Sequence, residues 1–242
     1  MSDYLYGKNS FTEALNSNRI KKAYVMKNSP FIDELNRKCV PYEIVDRYKL
    51  DKMSKSGNHQ GALAEVESYK LFNLEDIVKK ENGLIVMLDG ITDPHNFGAI
   101  IRTCECAGVD GVIYKKHNSV KINETVAKVA SGALEHVKVV EVTNLTNTIK
   151  KLKDDGYWIV GSTGKANDLY TDVDYNRNIV MVIGAEGDGL SRLVLEECDY
   201  RIKIDMCGVV DSLNASVATG VLLFNVLRSR KEKSEFSTIV DW

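Results

Sequence analysis

The chain has 242 residues, of which 44% are hydrophobic and 27% are charged, which is typical of a globular protein with a small and a larger domain. The amino terminus lacks the pattern of a secretion signal, and no apolar run approaches the ~20 residues of a membrane-spanning helix. We therefore expect a cytoplasmic protein without a membrane segment. The net charge of −2 conceals a basic region, because residues 1–60 hold 11 Lys and Arg against 7 Asp and Glu. Such a region could contact phosphates locally.

The first 67 residues predict a small α/β domain. Apolar spacing and turn residues predict helices at 10–16, 32–38 and 49–54 and strands at 22–26, 42–45 and 62–66. Residues 68–82 contain one amphipathic segment, 74–79, and are assigned to a linker.

From residue 83 onward, apolar strands alternate with helices. The predicted strands are 84–88, 111–114, 137–140, 158–162, 179–183 and 200–204, and the predicted helices are 97–107, 124–131, 145–154, 191–197 and 214–230. Continuous apolar strands alternating with helices are typical of a parallel sheet that is covered on both faces. We therefore expect an α/β domain over residues 83–242.

Ligands of parallel α/β sheets bind at the carboxyl ends of the strands, and three strand ends here are rich in polar residues and glycine. In the first, over 88–103, Asp93 and Pro94 are typical of a helix start. Asn96 follows in the entry to that helix. Arg102 lies in a helix that is mostly apolar, where an arginine needs a specific partner.

The second strand end, over 183–191, has three glycines in six positions, which permits positive φ and close backbone approach. Its spacing is not that of the GxGxxG dinucleotide fingerprint, and Glu186 lies inside it. In the third, over 202–220, Ser212 or Asn214 is a suitable cap for the last helix. Gly220 within that helix costs about 1 kcal/mol relative to alanine, which a close backbone contact would explain.

Together the three loops resemble the signature motifs of the SpoU (TrmH) family of RNA 2′-O-ribose methyltransferases. The matching residues of the three motifs are Asn96, Gly98 and Arg102; Gly184, Glu186 and Gly189; and Ser212, Leu213, Asn214, Ser216 and Ala218. The stretch 123–136 also resembles the family. Residues 6–10 (TyrGlyLysAsnSer) and 59–61 (HisGlnGly) are similar to the small RNA-binding domain of its RlmB-type branch, which modifies a guanosine in 23S ribosomal RNA.

The resemblance implies a SPOUT-type parallel sheet with a carboxyl-terminal trefoil knot, preceded by a small L30e-like RNA-binding domain. It also implies a homodimer with its active site near the subunit interface. The domains are then 1–67 for substrate RNA binding, 68–82 as linker and 83–242 for catalysis. Two residues depart from the pattern, Asp205 in place of a usual proline and Ala215 in place of a common valine. Asp205 puts an acidic group close to the expected cofactor loop.

The resemblance further implies the cofactor and the roles of individual residues. S-adenosylmethionine is expected to bind mainly through backbone groups of a set of loop residues, which are Gly184, Gly189, Ile204, Met206 and Leu213. Arg102 is expected to be the central catalytic residue, holding the RNA phosphate and stabilising the developing alkoxide. Four further residues are expected to position the ribose and Arg102: Asn96, Glu186, Ser212 and Asn214. Glu186 as the direct base is a second choice.

No metal is expected, because the five cysteines form no CxxC pair and Cys104 and Cys106 are too close for zinc ligands. Three alternatives stay open at this point. A transfer-RNA ribose methyltransferase would carry the same motifs, and a non-catalytic RNA-binding or ribosome assembly factor could retain the fold. A nucleotide-binding Rossmann oxidoreductase is disfavoured, because the GxGxxG fingerprint is missing.

Overall fold

A computed structural model describes residues 3–54 and 58–239. The chain divides into two compact units, each built from two stretches of sequence. The first unit takes the residues up to Lys70 together with Ile122–His136. The second takes Leu71–Lys121 together with the residues from Val137 onward. The segment 122–136 therefore belongs to the same unit as the amino-terminal residues, although the catalytic motifs flank it in sequence.

The strands are β1 (Asp3–Tyr6), β2 (Ile20–Val25), β3 (Tyr42–Ile44), β4 (Ala62–Val66), β5 (Leu84–Asp89), β6 (Gly111–Lys115), β7 (Val139–Val142), β8 (Trp158–Ser162), β9 (Asp168–Leu169), β10 (Ile179–Gly184) and β11 (Tyr200–Lys203). The α-helices are α1 (Lys8–Asn16), α2 (Ile32–Arg37), α3 (Arg47–Met53), α4 (Pro94–Cys106), α5 (Glu124–Ala130), α6 (Leu145–Asp154), α7 (Arg192–Glu196) and α8 (Ala215–Ile239).

The first unit contains a four-stranded sheet in the order β1-β4-β2-β3. Strand β4 pairs antiparallel with β1 and β2, whereas β2 and β3 are parallel. Its core is apolar, with Phe11, Leu15, Leu35, Leu50 and Leu63 fully buried. Burial of these side chains on one face of each helix explains why short helices with little intrinsic stability form here.

The second unit is built on a seven-stranded sheet in the order β7-β6-β5-β10-β8-β11-β9. Every neighbouring pair of strands is parallel, so the predicted parallel α/β architecture is confirmed. All six residues of β5 are buried, as are five of the six in β10, because helices cover both faces of such a sheet. Among the described helices, none is both long and apolar enough to cross a membrane.

Several elements differ from the predicted ones. Strands β1 and β9 were not predicted, because β1 has a mixed polar pattern and β9 is only two residues long. The last helix extends beyond residue 230 to Ile239. Residues 71–82 pack within the second unit, where Ile77 is buried and the backbone N–H of Lys79 donates to the Tyr157 hydroxyl at 2.8 Å.

Candidate active site

The three loops that the sequence singled out follow β5, β10 and β11, all at the carboxyl edge of the parallel sheet. Strand β10 lies beside β5, and one further strand, β8, separates it from β11. The order of the strands, which the sequence does not show, therefore brings together three loops that are far apart in the chain. This is the edge at which ligands of open α/β sheets bind.

The first loop leads into α4, and its start matches the expected capping pattern. The Asp93 carboxylate accepts the N–H of His95 at 2.6 Å, and Pro94 is the first helical residue. Phe97, Ile100 and Ile101 face the core. Asn96, in the first turn, is left at the rim of the sheet edge, where its amide is available to the neighbouring loops.

The second loop closes on itself. The backbone groups of Ala185 and Gly189 exchange two hydrogen bonds, at 3.0 and 3.1 Å, and Gly189 has a φ of +69°. A Cβ atom on Gly184 would lie 2.3 Å from the carbonyl carbon of Gly189, so only glycine fits there. The glycines thus allow a tight hairpin that carries Glu186 at its tip, and the close approach at Gly184 is to the chain's own backbone.

One residue from each loop meets in a hydrogen-bonded cluster. The Asn96 amide nitrogen donates to Glu186 Oε1 at 3.2 Å, and the Asn214 amide nitrogen donates to Asn96 Oδ1 at 2.9 Å and also to Glu186 Oε1. The backbone N–H of Ala215 adds a further donor to the same carboxylate oxygen, at 3.3 Å. We refer to Asn96, Glu186 and Asn214 as the motif cluster.

Asn214 also caps α8. Its Oδ1 accepts the backbone N–H groups of Ser216 at 3.0 Å and Val217 at 3.4 Å, and the Ser216 hydroxyl at 2.6 Å. The Asn214 side chain therefore uses its carbonyl for the helix and its amino group for Asn96 and Glu186. One residue both starts α8 and fixes its position relative to the other two loops.

Arg102 lies apart from this cluster. The expectation that it has a specific partner in a buried setting is wrong for this chain, because α4 buries only one face and Arg102 is on the exposed one. Within the part of the chain that the structure describes, Arg102 forms no hydrogen bond or ion pair. Ser212 is also exposed, and among the described residues its hydroxyl hydrogen-bonds only to the carboxylate of the adjacent Asp211, at 3.3 Å.

The residues expected to bind the cofactor surround the same sheet edge. Ile204, Met206 and Leu213 lie in a loop, 204–213, without regular secondary structure. No backbone hydrogen bond is made by residues 204–213 to another described residue, so their N–H and C=O groups are available to a ligand. This suits a cofactor that is recognised through backbone groups. Asp205, the departure from the family pattern, is exposed to solvent.

Sequence reasoning missed Asp89, the last residue of β5. Its carboxylate is 8% exposed and accepts the backbone N–H of Ser191 at 2.7 Å, which ties the end of the glycine loop to the neighbouring strand. The sequence did contain a signal for this role, because Asp89 is a charged residue directly after the apolar run 84–88. No group of three His, Cys, Asp or Glu side chains able to hold a metal occurs among the described residues.

Comparisons with known proteins agree with this arrangement. The SpoU rRNA Methylase family matches residues 83–224, and the domain described as "RNA 2'-O ribose methyltransferase substrate binding" matches residues 4–72. A putative TrmH family tRNA/rRNA methyltransferase of Bacillus subtilis is 39% identical over 96% of this chain and 98% of its own length. The 23S rRNA (guanosine-2'-O-)-methyltransferase RlmB of Vibrio vulnificus is 41% identical over 95% of this chain and 98% of its own length.

The crystal structure of the SpoU methyltransferase AviRb from Streptomyces viridochromogenes has the same fold. It has a TM-score of 0.85 at 22% identity, covering 96% of this chain and 91% of AviRb. The chain therefore belongs to the SpoU methylase family. This membership confirms the predicted enzyme class, an RNA 2′-O-ribose methyltransferase, and its cofactor, S-adenosylmethionine.

Proposed function

We propose that this protein methylates the 2′-hydroxyl of a guanosine in 23S ribosomal RNA. The observation that carries the proposal is the motif cluster, in which Asn96, Glu186 and Asn214 are hydrogen-bonded to one another from three separate loops. The target follows from the Vibrio vulnificus relative, whose name specifies a guanosine of 23S ribosomal RNA and whose 41% identity extends over 95% of this chain. A ribosomal substrate of this kind would place the protein in the cytoplasm.

The cofactor is proposed to bind between the glycine loop and the loop 204–213. Backbone groups of Gly184, Ile204 and Leu213 would hold it, with Gly189 and Met206 completing the pocket. S-adenosylmethionine supplies an electrophilic methyl carbon, so the protein must orient it and activate the attacking hydroxyl. In the trefoil knot that the family resemblance implies, these same loops would surround the cofactor. The knot stays a prediction.

Arg102 is proposed to hold the RNA at the reacting ribose. A guanidinium is a poor base because it stays protonated in proteins, but its planar donors match phosphate oxygens and stabilise developing negative charge on the ribose oxygen. An exposed arginine without a polar partner among the described residues suits this role, since its donors can reach the RNA.

Glu186 is proposed to position its neighbours. Its Oε1 already accepts N–H groups from Asn96, Asn214 and Ala215, so this oxygen is committed to holding the three loops in register. Asn96, Asn214 and Ser212 would then orient the ribose. Glu186 as the base that takes the ribose proton is the second choice, because only its other oxygen is left for that task.

We further propose that the chain acts as a homodimer through the outer face of α8. Val217 and Phe224, seven residues apart on that helix, are 51% and 52% exposed, and apolar exposure of this kind marks interaction surfaces. Gly220 lies between them. The nearest atom to a Cβ on Gly220 would be a Thr103 methyl at 3.9 Å. No described residue therefore requires glycine there, whereas a close-packed second helix would.

The substitution Phe224→Glu tests the dimer. We expect a change from dimer to monomer in sedimentation equilibrium, because a buried carboxylate without a partner costs several kcal/mol. The matched control is Leu193→Glu, which alters a leucine that is 54% exposed on another helix. A wild-type protein that sediments as a monomer, or an F224E variant that remains dimeric, would contradict the proposed interface.

The reaction itself is tested by mapping 2′-O-methyl groups on total RNA from cells with and without this protein. We expect one guanosine of 23S ribosomal RNA to lose its methyl group in the deletion strain. Tritium transfer from S-adenosylmethionine to purified 23S and transfer RNA distinguishes the transfer-RNA alternative, which the name of the Bacillus subtilis relative leaves open. A protein that binds RNA without any transfer would instead be an assembly factor of the same fold.

A further inference from the structure

One cavity of the first unit is lined mainly by polar residues. It has a volume of about 280 Å³, near the lower limit of roughly 300 Å³ for ligand pockets. Three stretches that resemble the family, and that the catalytic site does not use, contribute to its wall: residues 6–10, the region of 59–61, and 123–136. Their meeting point was not visible in the sequence, because more than 45 residues separate each stretch from the next.

Several side chains that line this cavity are of the types that contact nucleotides in other proteins. Lys8 and Lys128 are both exposed, and neither forms an ion pair with a described residue. The amides of Asn9, Asn58 and Gln60 add both donors and acceptors to the wall. Two ammonium groups beside several amides match one phosphate together with the polar edge of a sugar or base.

The two lysines occupy defined positions. The Lys128 ammonium lies 5.1 Å from the centre of the Tyr6 ring, within the range of a cation–π contact. Burial raises the pKa of Tyr6, and so does the negative charge of Glu124, so the phenol stays neutral beneath that ammonium. Lys8 is the first residue of α1, and its backbone N–H donates to Gln60 Oε1 at 2.8 Å.

The wall of the cavity is held in place by contacts that do not involve its two lysines. Within the first unit, Glu135 forms an ion pair with Arg19 at 2.7 Å and accepts the Ser17 hydroxyl at 2.9 Å. The Ser10 hydroxyl donates to the carbonyl of Ala127 at 3.4 Å. These contacts hold the segment 122–136 against the amino-terminal residues without occupying the lysines. The cavity is therefore preformed, which lowers the entropic cost of binding a ligand.

Backbone conformation adds a second indication. Gln60 and Ser131 have φ values of +50° and +53°, a region that residues other than glycine, asparagine and aspartate seldom adopt. Both residues line this cavity, and Ser131 accepts a hydrogen bond from Asn9 at 3.1 Å. Strained conformations that place polar side chains together are common at binding sites.

We propose that this cavity binds one unpaired nucleotide of the RNA substrate, with its phosphate on Lys8 and Lys128 and its sugar or base edge on Asn9, Asn58 and Gln60. The proposal rests on the proposed function, because it takes the ligand to be the RNA that is methylated. Unpaired nucleotides are the usual targets of specific RNA recognition, since their edges and phosphates are accessible. The cavity would select the RNA, and the motif cluster would methylate it.

The test measures RNA affinity and methyl transfer separately, with the full-length protein and 23S ribosomal RNA transcribed in vitro. The double variant Lys8→Ala with Lys128→Ala is expected to raise the RNA Kd about 10-fold or more and to reduce the salt slope of log K by about 1 to 2. The matched control, Lys21→Ala with Lys27→Ala, removes two exposed lysines of the same unit that do not line the cavity. It is expected to change the Kd less than about threefold.

Asn9→Asp tests the cavity in a second way, by adding one negative charge to its wall instead of removing the two lysines. Asn9 is exposed and its carboxylate replacement could still accept the Ser131 hydroxyl, so the fold should persist while a negative charge faces the phosphate. We expect a loss of RNA affinity comparable to that of the lysine pair. Circular dichroism melting curves and the Kd for S-adenosylmethionine should match those of the wild type for all variants.

Each outcome has a defined meaning. An unchanged RNA Kd in the double lysine variant would overturn the nucleotide site. An equal loss of RNA affinity in the Lys21 and Lys27 control, or an unchanged Kd in the N9D variant, would also overturn it, because the effect of the two lysines would then be general. A wild-type protein that does not bind the RNA would overturn it as well. A wild-type protein that binds the RNA but transfers no methyl group would refute the proposed function, while the site is still decided by the Kd values.

Discussion

The two edges of the seven-stranded sheet differ in how their polar groups are satisfied. At the amino edge, side chains bind the backbone of the strand starts: Asn178 accepts the N–H of Gly83 at 2.8 Å, and Asp110 accepts that of Leu84 at 2.8 Å. At the carboxyl edge, the backbone of the loop 204–213 makes no hydrogen bond to another described backbone group. Side chains therefore close the amino edge, whereas the loop 204–213 of the carboxyl edge has backbone groups without such partners among the described residues.

Two arginines differ in the same way, because one has hydrogen-bond partners in the chain and the other has none among the described residues. Arg230 on α8 donates to four backbone carbonyls at distances between 2.8 and 3.1 Å, those of Asn82, Gly83, Tyr175 and Arg177. Burial lowers the pKa of Arg230, with Asp110 opposing the shift, and an arginine remains charged under these conditions. Arg102 on the neighbouring α4 has no such partner among the described residues. Arg230 therefore has a structural role, whereas Arg102 fits the role proposed for it, that of a donor to an RNA phosphate.

The largest expected effect is that of Arg102→Ala on the carboxyl edge. We expect kcat for methyl transfer to fall at least about 100-fold, as happens when a donor to a developing oxyanion is removed. The melting temperature should stay close to that of the wild type, because Arg102 is exposed and forms no hydrogen bond or ion pair with a described residue. Tritium transfer and calorimetry measure the two quantities. Near-normal turnover would remove Arg102 from the mechanism, and Arg102→Lys tests whether charge alone suffices.

On the amino edge, Arg230→Met should act on stability instead. Loss of hydrogen bonds from a charged donor to four carbonyls is expected to cost about 2–3 kcal/mol, which lowers the melting temperature by about 5–10 °C in a chain of this size. Arg228→Met is the control, because its exposed pair with Glu232 at 3.5 Å contributes little. If both variants melt like the wild type, the amino edge does not have the structural role assigned to it.

Asn214→Ser separates the two roles of Asn214, which are to cap α8 and to donate hydrogen bonds to Asn96 and Glu186. Serine caps helices about as well as asparagine, so we expect the free energy of unfolding to change by less than about 0.5 kcal/mol. The donors to Asn96 and Glu186 are lost, and kcat should fall about 10-fold because the three loops are no longer held in register. Urea unfolding together with a transfer assay measures both. A variant that loses stability without losing activity would assign Asn214 to the cap alone.

The smallest expected effect is that of Ser212→Ala. Its hydroxyl contacts only Asp211, so the stability should change by less than about 0.5 kcal/mol. A single hydrogen bond to the ribose would raise the KM for RNA about threefold. Steady-state kinetics at varied RNA concentration detects this change. An unaltered KM would show that the Ser212 hydroxyl does not bind the ribose.

Much of the site could be predicted from sequence because its chemistry is local. Asp93 and Pro94 begin α4 as their residue types require, and Asn214 caps α8 for the same reason. The apolar runs of β5 and β10 predicted buried parallel strands. The exposure of Arg102 could not be predicted from local sequence, because a helix that is apolar in composition can still expose one side chain to solvent. Which face is buried depends on the elements that pack against it.

The sequence by itself determined the reaction, through three motifs whose residue types and spacing define the family, and the alternation of strands and helices. The tertiary structure decided which residues meet. Strand order brought Asn96, Glu186 and Asn214 within hydrogen-bond distance, and packing of α5 against β1 joined the segment 122–136 to the amino-terminal unit. Local propensity acts over a few residues, whereas contacts across more than 100 residues depend on how the whole chain packs.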